Sequence, residues 1–328
     1  MSSDIDRAHA LIDANQHEAG MRVLSVHMAR HPDDPVALCI AAQSLLGTER
    51  HVDALAAAQR ASTLRPGSEW PVRLIALAQI RLQQPVEAVR SAEHAVALAP
   101  NVWETHYMLA LARSSTQYMN EAALAAIVVA RQLNPNEPSI HRLAGKINDN
   151  LSRRKEAVAC FTRALQIDPN DAIARHELGR LDFNRGALAA AADSFGNAVA
   201  LDPRLHVGVQ NLDRILVKVL RLYVLFLLPT TLLAPVVPPP FLGPTLVTGF
   251  IVVSVTLLLR KGGRRLRQFV RALPRRLPWL VAAYGLAAAA VVLIWVRAIA
   301  PVEMFVWTVV GIICLIVALM CAIGAAPE

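Results

Sequence analysis

Residues 172–203 read AIARHELGRLDFNRGALAAAADSFGNAVALDP, and this stretch decides the fold. Two apolar runs, each carrying small residues, flank Arg185 and Gly186, and the segment closes on Pro203. A proline ends a helix, because its nitrogen has no proton to donate and its ring collides with the preceding turn. The stretch therefore reads as two helices and a turn, with Leu178, Gly179, Ala191, Phe195 and Ala198 packed between them.

The same spelling recurs upstream. Prolines stand at 32, 66, 100, 135, 169 and 203, at spacings of 34, 34, 35, 34 and 34 residues, in contexts such as LRPGS, LAPNV, LNPNE and IDPND. With each proline set as position 32, position 27 is Ala61, Ala95, Ala130, Ala164 and Ala198, and position 20 is Ala54, Ala88, Ala123, Ala157 and Ala191. Position 8 is Ala42, Ala76, Gly145 and Gly179, and the one-residue insertion before Pro135 brings Ala110 into that role. Position 24 fills the gap with Ile127, Phe161 and Phe195 in the later units. Small residues at fixed places let paired helices approach closely, and a fixed period is the mark of a stacked repeat.

This pattern resembles the tetratricopeptide repeat (TPR) family, over roughly residues 5–203. The aromatic that the family carries early in its first helix is mostly missing, and Arg175 stands there in the best unit. The unit before Pro32 keeps Gly20, Leu24 and His27 at the signature places and reads as a degenerate N-terminal cap. The resemblance implies an all-α solenoid of about six helix pairs over residues 1–203. It also implies a concave groove lined by the first helix of each unit. Mapped residue by residue, that groove comprises Trp70, Arg73, Arg81, Glu104 and Tyr107, then Arg142, Lys146, Asp149 and Asn150, then His176, Arg180 and Asn184. Two aromatics and several cations suit an extended protein segment bearing carboxylates, since guanidinium pairs with them in two-pronged fashion. A polar face paired within itself fits the same residues.

Charge divides the chain. Up to residue 212 there are 21 Lys and Arg against 22 Asp and Glu; beyond it, 12 against 3. The basic excess thus lies beside apolar runs, which points to membrane topology and not to nucleic acid. Residues 204–221 read as a capping or connecting helix, and residues 222–328 as a membrane domain. Its apolar segments are 222–237, 241–259, 280–296 and 304–326, of which the second and fourth have the length a span needs. The first, broken by Pro229, reads as a tilted span or as half of a re-entrant hairpin. The loop 260–276 carries Arg260, Lys261, Arg264, Arg265, Arg267, Arg271, Arg275 and Arg276. Leu266, Phe269, Val270 and Leu273 recur there at i, i+3, i+4 and i+7, so the loop suits either an interfacial helix on anionic lipid or simple topology-setting charge. The distribution of basic residues places solenoid, loop and C-terminus on the cytoplasmic side, and the richness in alanine and arginine points to a bacterial-type inner membrane. The first 20 residues lack the apolar core of a signal peptide, in line with that placement.

Chemistry is not spelled out anywhere. There is no GxGxxG, no P-loop and no HExxH, and His27 and His31, one helical turn apart, lack a third ligand at useful spacing. The four cysteines form no CxxC and read as small buried residues in a reducing compartment. The apolar segments hold no mid-span charge, which argues against transport. Ala282, Gly285 and Ala289 share one helical face of the third segment, a spacing that favours helix contacts in lipid. The expectation is a non-enzymatic scaffold without a cofactor, binding a protein partner at the cytoplasmic face of the membrane. The alternative is an accessory subunit of a secretion or envelope-assembly complex whose spans also bind partners.

Overall fold

The computed structural model describes residues 2–116, 118–202 and Arg214. They form helices α1 (Ser2–Asp13), α2 (His17–Arg30), α3 (Pro35–Gly47), α4 (His51–Leu64), α5 (Glu69–Arg81), α6 (Pro85–Leu98), α7 (Trp103–Ser114), α8 (Asn120–Leu133), α9 (Pro138–Asn150), α10 (Arg154–Ile167), α11 (Ala172–Asn184) and α12 (Leu188–Leu201). Apart from Arg214, the connecting segment 204–221, the four apolar segments and the basic loop 260–276 lie outside the described residues. Among the described residues no helix is long and apolar enough to cross a membrane.

The helix boundaries follow the proline clock. Helices α2, α4, α6, α8 and α10 end at Arg30, Leu64, Leu98, Leu133 and Ile167, each two residues before its proline. The chain divides into two compact units, Met1–Pro169 and Asn170 onward. In the first, α2, α4, α6 and α8 each pack on the odd helix before and the odd helix after, α10 packs on α9, and α1, α3, α5 and α7 each also touch the next odd helix. In the second, α11 packs on α12.

The alanine register is the core. Ala54, Ala88, Ala123 and Ala157 at position 20 are fully buried in the first unit, as are Ala61, Ala95, Ala130 and Ala164 at position 27. Ala110, not Leu111, occupies the buried place at position 8, as expected from the insertion. With the insertion, α7 is one residue shorter than α5 and α9, and five residues instead of three separate it from α8. In the first helix pair Gly20, Leu24 and His27 are all buried, and Gly20 fits against Ile12 and the Ala8 carbonyl. His27 serves a second purpose. Its Nε2 lies 2.9 Å from Asp34 Oδ2, while Asp34 Oδ1 accepts the Val36 amide at 2.9 Å and so caps α3. Burial alone would raise the Asp34 carboxyl, but the hydrogen bonds from His27, Val36 and Ala37 outweigh it and hold the group below its ordinary value.

The left-handed backbone inside the three-residue connections is announced in the sequence only by Gly186. Asn15, Glu49, Gln83, Ser152 and Gly186 all adopt positive φ, between 57° and 82°. At each the chain closes the helix with a pair of reversed hydrogen bonds, for example Gln83 N to Ile80 O at 3.1 Å and Gln84 N to Gln79 O at 2.9 Å. Four of these five left-handed positions are not glycine. Gln83→Gly is therefore expected to stabilise the unit by about 0.5–1 kcal/mol, relieving the Cβ strain. The midpoint of urea unfolding checks this; Gly186→Ala should move the midpoint the other way.

Candidate functional site

Helices α1, α3, α5, α7 and α9 touch in succession and form one face of the first unit. Its residues divide into three groups. Toward α1 the face is filled by the chain's own side chains. Trp70 is half-buried, packs on the apolar clusters around Ile40 and Leu74, and brings its ring to 6.0 Å from His9. Gln43 Nε2 donates to Asp13 Oδ1 at 2.9 Å, and His9 lies 3.6 Å from Asp13. His9, Asp13 and Gln43 occupy positions 9, 13 and 9 of the first two units, and applying the groove positions to those units would have found them.

In the middle of the face the charges are partly answered internally. Arg73 holds Glu69 with both Nε and Nη2, one helical turn away. Tyr107 stands edge-on to Trp103, with ring centroids 6.1 Å apart. Burial pushes the Tyr107 hydroxyl above its ordinary value; Arg142 and Arg81 oppose this, and Glu137 adds to it. Those effects mark the four groups as electrostatic neighbours. Leu77, Ile80 and Leu111 are partly buried against the core at positions 9 and 12, giving the face an apolar floor.

Toward α9 the face is polar. Arg81 and Lys146 are exposed, and no ion pair joins either to a described residue. Asn150 Nδ2 donates to Asn120 Oδ1 at 3.4 Å, which sets Asn150 at the rim beside the start of α8. Glu104 and Asp149 are half-buried.

The second unit carries His176, Arg180 and Asn184. His176 is buried, its ring 5.3 Å from Phe195, so it belongs to the packing of α11 on α12 and not to an open surface. Burial lowers its pKa; Glu177 works to raise it and Arg180 to lower it further. Arg180 Nε donates to Glu177 at 2.8 Å, and Asn184 is exposed.

A second concavity of about 500 Å³ lies between α8, α9 and α10, with Leu124, Ile127, Val128 and Ala144 among its apolar walls. Asn148 inside it donates to the Ala144 carbonyl at 2.8 Å and lies 3.9 Å from Cys160 Sγ. Among the described residues no group of three or more His, Cys, Asp or Glu side chains is placed to hold a metal. Both described cysteines are free, Cys39 buried and Cys160 half-buried. Burial pushes the Cys39 thiol up to about 12 from an ordinary 9.0. Unfolding then releases a proton between those two values, so the stability given by the neutral buried thiol is present below pH 9 and is lost as pH rises toward 12. At pH 8 Cys39 is expected to resist iodoacetamide in the folded chain and to react on unfolding, as read by peptide mass spectrometry.

A tetratricopeptide repeat model matches residues 140–171, which span nearly all of α9 and α10. The chain thus contains a tetratricopeptide repeat, and the described helices form a TPR-like solenoid. The crystal structure of TTC0263, a thermophilic TPR protein in Thermus thermophilus, is similar at a TM-score of 0.53 and 20% identity, over 56% of this chain and 99% of that one. A chain of the APC/C hetero-tetramer Cut9–Hcn1 is similar at a TM-score of 0.57 and 15% identity; the match covers 65% of this chain and 42% of that chain. At these identities the likeness is one of fold. No curated protein matches the chain in sequence.

Proposed function

We propose that this chain is a membrane-tethered scaffold, without catalytic activity of its own, that binds a protein partner along the face formed by its odd-numbered helices. The observation that carries the reading is the unbroken contact of α1, α3, α5, α7 and α9, which presents one continuous surface across five repeats. A face of this kind, on a fold shared with TPR proteins, suits an extended peptide better than a small substrate. The sequence beyond residue 203 supplies the tether: long apolar segments, with arginines concentrated in the loop 260–276. That charge pattern supports a cytoplasmic solenoid and contact between the loop and anionic lipid.

The partner segment carries an apolar side chain for the floor of Leu77, Ile80 and Leu111, and carboxylates that meet Arg81 and Lys146. Arg73 and Arg180 are poor probes of this, because reversing them would also strand Glu69 and Glu177. The test is the full chain with Arg81→Glu and Lys146→Glu together, crosslinked in intact cells and recovered from membranes. Partner recovery measured by mass spectrometry should fall about tenfold. Recovery equal to that of the unaltered chain would rule out an acidic partner.

A further inference from the structure

Large apolar side chains lie open to solvent along one edge of the first unit, where odd helices turn into even ones. Val52 is 68% exposed, Val86 64%, Tyr118 93% and Met119 43%. Their arrangement can be read from equivalent positions. Glu121, the second residue of α8, reaches Arg153, the residue just before α10, at 2.7 Å. Val86 is the second residue of α6, and Met119 is the residue just before α8. Val52 likewise is the second residue of α4, so these side chains stand at the starts of three successive even helices. The result is a row across three successive units, not scattered single residues.

Two ion pairs flank this row, Arg50 with Asp53 at 2.7 Å and Glu121 with Arg153, while Glu87, next to Val86, is exposed and has no ion pair among the described residues. The side chains protrude, and none of them lines the concavity between α8, α9 and α10. Projecting apolar groups suit a soft medium, which moulds itself around them. Tyrosine in particular favours the interface between water and lipid.

We propose that this edge rests on the bilayer, with Val86, Met119 and Tyr118 in the interfacial layer and Val52 at its margin. The inference rests on the membrane reading of residues 222–328. The chain's own apolar segments would hold the edge at high local concentration beside lipid, so a shallow insertion too weak to bind alone becomes populated. Attachment is driven by apolar area, with the carboxylate of Glu87 disfavouring anionic lipid, and so persists in zwitterionic lipid at high salt.

The experiment uses the full chain in phosphatidylcholine nanodiscs. The native cysteines are replaced by alanine, and nitroxides are placed one at a time through Val86→Cys, Tyr118→Cys and, as reference, Thr63→Cys. Thr63 is exposed near the far end of α4 from Val52. Power saturation with oxygen and with a nickel chelate reports whether each label meets lipid or water. Labels at 86 and 118 should favour oxygen several-fold over the label at 63, unchanged by added salt. Water-like accessibility at 86 and 118 in chains that have entered the nanodisc overturns the edge contact while leaving the tether intact. Shielding from both reagents overturns it too, and points to association with a second copy. Chains that fail to enter nanodiscs at all overturn both the tether and the edge contact.

Discussion

Phe161→Ala is expected to destabilise the solenoid by about 3–5 kcal/mol, the usual cost of emptying a buried aromatic site. Phe161 is 1% exposed, and its ring lies across Gly145, where α10 crosses α9. Small domains have only about 5–15 kcal/mol of stability in all, so the loss is a large fraction. In a stacked array each repeat touches only its neighbours, so the damage should stay local. Amide hydrogen exchange should show α9 and α10 losing protection while α3 and α4 keep most of theirs. A uniform loss along all ten helices of the first unit would mean that the repeats unfold as one body.

Gly145→Ala should destabilise the same junction from the opposite direction. A methyl group there would sit 2.8 Å from the Phe161 ring, closer than such contacts occur. Alanine is the better helix former by about 1 kcal/mol, and overpacking costs about 1–3 kcal/mol, so the clash should prevail because the buried ring has nowhere to go. The other repeats show the remedy. Where position 8 is alanine, position 24 is smaller: Ala42 is matched with Ala58, Ala76 with Ala92, and Ala110 with Ile127. Gly179 again accompanies a phenylalanine, Phe195, whose ring it adjoins. Adding Phe161→Ile to Gly145→Ala should therefore recover stability, with a coupling of about 1 kcal/mol or more in a double-mutant cycle read from urea midpoints. Additive effects would break the proposed size matching.

The fold was legible because its punctuation is chemical. Proline halts each even helix, and alanine or glycine recurs wherever two backbones approach, so period and phase could be read without coordinates. The turns were not legible: left-handed backbone at Glu49, Gln83 and Ser152 is imposed by the helix pairs on either side, and those residue types do not announce it. The candidate site was less legible. The family positions name residues on the odd-numbered helices, yet charge composition alone did not show which cations are engaged. Arg73 with Glu69 and Arg180 with Glu177 lie at i,i+4 and i,i+3, a spacing that could have flagged them as internal pairs. Asn150 with Asn120, thirty residues apart, carried no such signal. Nor did composition show that His176, beside a phenylalanine at position 24, packs its imidazole into the contact between α11 and α12.

Sealed vesicles with the cytoplasmic face outward offer the most direct test of a solenoid tethered by its own chain. Protease added outside, followed by mass spectrometry of what is released and what is retained, reads both topology and anchorage. The tethered arrangement predicts that peptides from residues 2–202 are released while 241–259 and 304–326 stay in the vesicles after an alkaline wash. Release of the intact chain by that wash, or protection of the solenoid from protease, would contradict it.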